Sequence, residues 1–270
     1  METSSLLMLL AMGAGAGFLA GLLGIGGGMV MVPFLVMIFD REGFADERVV
    51  QMALATSLAT ILFTSLSSVR AHHRRGAVQW HLVRALAPGI LIGSLLGARI
   101  VGYLPGRVLA GIFGVFIFWT AFRMLRGTAR HAGAPTGTLP GPAGLVGAGS
   151  LIGGLSALLG AGGGFITVPY LSNRGVPFAH AIASSAACGF PIALAGTIGY
   201  LLVGWWQQVP GGGLAYINLK ALFTIVPMSM LFAPVGASVA HRLPVGHLKR
   251  AFALVLFSLS AYMLYRAFGA

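Results

Sequence analysis

Charge is scarce in this sequence. Asp, Glu, Lys and Arg make up 8% of its 270 residues, where a soluble domain carries about 25%. That scarcity excludes an ordinary solvated surface. Acidic residues are rarer still: Glu2, Asp40, Glu42, Asp46 and Glu47 are all there are, and none lies inside an apolar segment. A proton relay through an intramembrane carboxylate, frequent in pumps, is therefore excluded. The single cysteine, Cys188, excludes an intramolecular disulfide and a cysteine-built zinc or iron–sulfur site. No cofactor and no metal are expected. Residues 1–5 include no basic n-region, and the apolar stretch after them runs past Leu23, which speaks against a cleaved signal peptide.

Apolar residues are what the chain has, at 57%. Apolar windows of about 18 residues recur, each long enough to cross a hydrocarbon core of about 30 Å. They are continuous rather than alternating, which disfavours a membrane β-barrel. The expected fold class is an all-α polytopic membrane protein, with the lipid bilayer as its surroundings. The net charge of +12 does not point to nucleic acid. The basic residues sit between apolar segments, where the positive-inside rule places them.

The pattern occurs twice. GIGGGMVMVPFL at 24–35 faces GAGGGFITVPYL at 160–171, and seven of the twelve positions are identical. LLGARIVGYLP at 95–105 faces PVGASVAHRLP at 234–244 in the same order. Duplication accounts for both landmarks. The expected organisation is an N-terminal repeat at 1–126, a Gly/Pro/Thr-rich linker at 127–142 and a C-terminal repeat at 143–270. Each repeat would hold a re-entrant or broken-helix hairpin (6–39 and 144–171). The stretch after GIGGG is too short to span alone. Three spans would follow each hairpin, at about 49–69, 82–103 and 108–125, then about 179–204, 219–240 and 248–265.

Equivalent loops carry opposite charge. The loop at 70–75 is strongly basic, whereas its counterpart at about 205–218 has no charged residue. The loop at 40–48 carries four carboxylates, whereas Asn173-Arg174 is short and basic. Loops that prefer opposite sides are the mark of an inverted repeat. This predicts both termini outside, with the linker inside.

Three adjacent glycines lower helix propensity and leave backbone exposed. A helix restarting after Gly28 or Gly164 presents N–H groups and a positive dipole end, which binds anions without a basic side chain. The competing reading is close helix packing through glycine. Neither copy is followed by the Gly-Lys-Ser/Thr of a phosphate-binding loop. Thr56-Ser57 and Ser184-Ser185 lie at equivalent places early in two spans. They either donate to an oxyanion or bond to helix carbonyls. Cys188 is one turn beyond Ser184, and a packing role competes with a site role. His180 lies at the start of a span. Arg99, near the outer end of another, either snorkels or holds an anion at the entrance.

With those motifs in place, the chain resembles the sulfite exporter TauE/SafE family of permeases. The resemblance rests on Gly24, Gly26, Gly27, Gly28 and Pro33, on Gly160, Gly162, Gly163, Gly164 and Pro169, and on the Gly-Ala pairs at 97–98 and 236–237 with their Leu-Pro at 104–105 and 243–244. It implies transport of sulfite, thiosulfate or organosulfonates across the bacterial inner membrane. It leaves the anion, the direction, the coupling ion and any homodimer open. The hydroxyl pairs differ between the halves, and Arg99 faces Ser238, so the half-sites need not contribute equally. An anion channel on the same scaffold is the alternative. An intramembrane enzyme is not expected, because the spans show no nucleophile–base pair.

Overall fold

A computed structural model of the protein describes residues 3–24, 26–44, 47–126, 138–206, 213–240 and 246–269, with side chains of the last helix from Phe252 onward. Most of the expected linker, together with Ile25, Asp46, Arg130 and Arg242, lies outside the described residues. All the regular elements described are helices: α1 Thr3–Leu23, α2 Gly28–Arg41, α3 Val49–His73, α4 Trp80–Val101, α5 Gly106–Arg126, α6 Pro142–Leu158, α7 Gly164–Ser172, α8 Phe178–Trp206, α9 Leu219–Ala240 and α10 Gly246–Phe268.

Six of these, α1, α3, α4, α5, α8 and α9, are long and apolar enough to cross a membrane. That set differs from the expected six. The first arm of the N-terminal hairpin, α1, is itself long enough to span at 21 residues. In α10 the described apolar part is the shorter 252–268. Prolines inside α4, α8 and α9 do not break them, because in a bilayer neighbouring helices and local adjustments re-satisfy the freed carbonyls.

Glycine contacts fix the relative directions. Gly13, Gly17 and Gly21 of α1 meet Ile225, Ser229 and Ala233 of α9 in that order, so α1 and α9 run parallel. Gly89, Gly93 and Gly97 of α4 meet Val146, Ser150 and Gly154 of α6, also in parallel. At each of these positions a Cβ would collide with a partner backbone carbonyl, which is how small residues let membrane helices touch. The central pair, α3 and α8, is antiparallel: Leu58 packs on Gly196, and Ser65 on Gly189. Thr56 and Thr64 of α3 meet Asn218 and Ser229, so α9 runs with α3. Ala98 meets Gly199 and Gly102 meets Val203, so α4 runs with α8.

Hence α1, α3 and α9 point one way, and α4, α6 and α8 the other. So α1, α3 and α4 of the first half point against their equivalents α6, α8 and α9 in the second. The two repeats are inverted, and they interleave: α1 packs on α9 and α4 on α6, each across the halves.

Candidate functional site

The two glycine blocks turn the chain back inside the bundle. Gly24, Gly26 and Gly27 have φ of 66, 72 and 73°, in the left-handed region that a side chain disfavours. Gly27 caps α2 and lies against Ala16 in the middle of α1. The second block repeats this. Gly163, with φ 76°, caps α7 and lies against Ile152 of α6. Neither α2 nor α7 has a side-chain cap. Both therefore begin near mid-bundle with backbone N–H groups at a positive dipole end.

The blocks also meet each other. A Cβ on Gly26 would lie 2.8 Å from Gly162 Cα, and a Cβ on Gly28 would collide with the Gly160 carbonyl. Around this junction is a void of about 10 Å³, lined by Gly24, Gly26, Gly162, Ser65, Ser68 and Gly189, among others. That is room for about one water. The Ser68 hydroxyl is buried there without a hydrogen-bond partner. The Ser156 hydroxyl is also buried and unpartnered; it lies 2.9 Å from where a Cβ on Gly163 would be. Buried hydroxyls are nearly always paired, so both stand out as donors held in reserve.

The hydroxyls singled out from sequence are placed differently. Ser57 Oγ donates to the Gly160 carbonyl at 2.8 Å, and Ser185 Oγ to the Gly24 carbonyl at 3.2 Å. Thr56 Oγ1 accepts the N–H of Asn218, and Ser184 Oγ accepts the N–H of Gln79, each at 3.0 Å. Asn218 and Gln79 immediately precede α9 and α4. So each of these four hydroxyls bonds the backbone of the opposite half. For Ser57 and Ser185 the donor proton is committed to a carbonyl. Pro33 and Pro169 lie within α2 and α7 and do not line the void. Cys188 is fully buried in α8, beside the lining residue Gly189 but not lining it. His180 Nδ1 is 2.9 Å from the Ala77 carbonyl at the start of α8. Arg99 is exposed on the last turn of α4 and borders neither cavity.

Ser65 and Ser68 were not among the sequence candidates. The signal was present: Ser57, Ile61, Ser65 and Ser68 recur at three- and four-residue steps along one face of α3. Their equivalents in α8 are Ala193 and Gly196, so the hydroxyls belong to one half only. The seal is unequal as well. Leu58 fills the space beside Gly196, whereas its equivalent, Ala186, leaves room for the void. Among the described residues no three of His, Cys, Asp and Glu come together to hold a metal.

The sequence matches the family described as Sulfite exporter TauE/SafE over residues 9–263. A protein of Haemophilus influenzae named "Probable membrane transporter protein" is 37% identical, covering 93% of this chain and 95% of its own length. A protein of the same name from Methanocaldococcus jannaschii is 26% identical over 95% and 94%. Bacillus subtilis YdhB, likewise named, is 26% identical over 87% and 90%. No solved structure matches.

Proposed function

The chain belongs to the sulfite exporter TauE/SafE family of membrane transporters, and from that membership we propose that it carries a small sulfur-containing anion across the bacterial cytoplasmic membrane. The anion class is sulfite, thiosulfate or a short organosulfonate, and the mechanism is alternating access around the glycine junction. One observation carries the reading. Two uncapped helices from inverted repeats each begin just after a glycine turn, the two turns touch at Gly26 and Gly162, and no ionised side chain lines the void beside them. Such a site attracts a negative charge through backbone dipoles alone.

A carrier fits better than a channel. The void holds about one water, the blocks touch at Gly26 and Gly162, and Leu58 packs on Gly196 between α3 and α8. An anion passes only if these contacts part. Ser65, Ser68 and Ala186 line the void beside the blocks.

Charge supports an orientation. Arg70, Arg74, Arg75, Arg123, Arg126 and Arg174 lie at the helix ends on one face. The other face, where α1 begins and α10 ends, carries Asp40, Glu42 and Glu47 among Arg41, Arg48, Arg99, Arg107, Lys220 and Arg266. The carboxylate-free cluster at Arg70, Arg74 and Arg75 with Arg123, Arg126 and Arg174 favours that first face as the cytoplasmic one, with both termini outside.

The test is flux in liposomes of labelled sulfite and thiosulfate, competed by sulfate and small sulfonates, across pH. Saturable flux with counterflow supports the proposal. Flux of an unrelated solute with none of any sulfur anion overturns it.

A further inference from the structure

The face that carries the described carboxylates also holds a cavity of about 840 Å³, well apart from the glycine junction. It opens between the start of α3, the α4–α5 turn and the ends of α2 and α10. Its charges are not equivalent. Asp40 is spent: Arg266 pairs with it, and Tyr262 donates to it at 3.1 Å. This is the one ion pair among the described residues. Glu47 and Arg107 are exposed at the mouth.

Arg48 differs from both. It is the residue just before α3 and is only partly exposed. Its Nη1 is buried and has no hydrogen-bond partner. A guanidinium stays protonated at any physiological pH, and burying one of its arms without a counter-charge is costly. Its surroundings are otherwise fixed. Gln51 Nε2 donates to the Leu104 carbonyl at 3.0 Å, which holds the wall. Burial pushes the Tyr216 hydroxyl above its ordinary range, and Arg48 nearby pulls it back down, so Tyr216 stays neutral and adds no competing negative charge. Arg48 lines the cavity, one arm of its guanidinium is shut from solvent without a hydrogen-bond partner, and no described carboxylate is ion-paired with it; that uncompensated charge suits an anion that arrives in the cavity.

We propose that Arg48, with Arg107 at the mouth, forms a second oxyanion site in this vestibule. Its ligand class is a small anion with two adjacent oxygens, which a guanidinium takes in a forked grip. From Arg48 to Ser57, where the Gly160 loop is held, is about 14 Å along α3. The vestibule is thus the staging point on the outer route to the junction. The proposal rests on the transport reading for its physiological ligand, but the binding chemistry stands by itself.

The experiment measures equilibrium binding of ³⁵S-thiosulfate to the purified full-length chain in phosphatidylcholine nanodiscs. Every variant is made in a Gly163→Leu background that disables the junction. In that background thiosulfate still binds saturably. Arg48→Gln weakens it by about tenfold or more, the loss expected for one charge-assisted contact. Arg48→Lys, which keeps the charge, loses less, and Glu47→Gln binds more tightly. Each variant is checked for unchanged melting temperature. Arg48→Gln binding like its parent, or no binding in the Gly163→Leu background while the wild type binds, overturns the site. Liposome flux separates the two readings. Arg48-dependent binding without sulfur-anion flux removes the transport proposal and leaves this one. Flux with Arg48-independent binding does the reverse.

Discussion

Ser57 and Gly160 are 2.8 Å apart, hydroxyl to carbonyl, and join α3 of one repeat to the glycine block of the other. Ser185 and Gly24 repeat the bond in reverse. Ser68 and Ser156 have no such bond, which separates two kinds of buried hydroxyl in one helix bundle. Ser57→Ala and Ser185→Ala should each cost about 1 kcal/mol, because each strands a buried carbonyl. Ser68→Ala and Ser156→Ala should leave the melting temperature unchanged or raised and should increase KM for the anion. Melting curves beside liposome kinetics check both halves of this. A stability loss confined to the Ser68 and Ser156 variants would reverse the assignment.

Side chains cannot be added at the turn glycines. Gly27→Leu and Gly163→Leu combine a left-handed φ with a Cβ that meets Ala16 or Ile192. Both variants should insert into the membrane and transport nothing. Gly15→Ala is the control, since its Cβ would meet nothing; it should transport normally. Normal flux in both leucine variants would dismiss the junction as the site.

The inequality between Leu58 and Ala186 gives a third test. Ala186→Leu should fill the void and cut flux at least tenfold while the protein remains monodisperse. Leu58→Ala should loosen the seal on Gly196 and raise passive anion leak. Measuring leak by anion-dependent swelling of proteoliposomes reads this directly. Unaltered leak and flux in the pair would show that these positions do not gate.

Carboxylates should not be needed for the transport step. The combined Glu42→Gln, Asp46→Asn and Glu47→Gln variant should retain flux of a single anion species and its pH profile. Asp40→Asn should lower the melting temperature, because it breaks the contact with Arg266 and Tyr262 that ties α2 to α10. Complete loss of flux in the triple variant, with folding intact, would restore a carboxylate to the mechanism.

Much of this architecture was legible. The duplicated glycine blocks and the mirrored loop charges predict inverted halves, and the glycine contacts along α1, α4, α6 and α9 show equivalent helices pointing opposite ways. Thr56, Ser57, Ser184 and Ser185 were recognisable as paired polar positions. Their partners were not, because Gly160 lies 103 residues from Ser57 and Gln79 lies 105 from Ser184. No local pattern encodes a bond across that distance. The expected hairpin at 6–39 differs from the structure because its first arm, α1, is long enough to span by itself. Its Gly13, Gly17 and Gly21, at four-residue spacing, form one face on which α9 lies. The vestibule was illegible altogether, since Arg48, Gly102, Tyr216 and Arg266 reach it from four separate stretches of chain.

The interleaving of the repeats has a consequence for descent. With α1 seated on α9 and α4 on α6, a single repeat expressed alone would leave its glycine-lined faces bare and its serines with no backbone to hold. An ancestor encoding one repeat therefore had to meet a second copy inserted upside down. Joining both copies in one chain supplies that partner in a fixed orientation, and each half carries the loop charges that suit its own side.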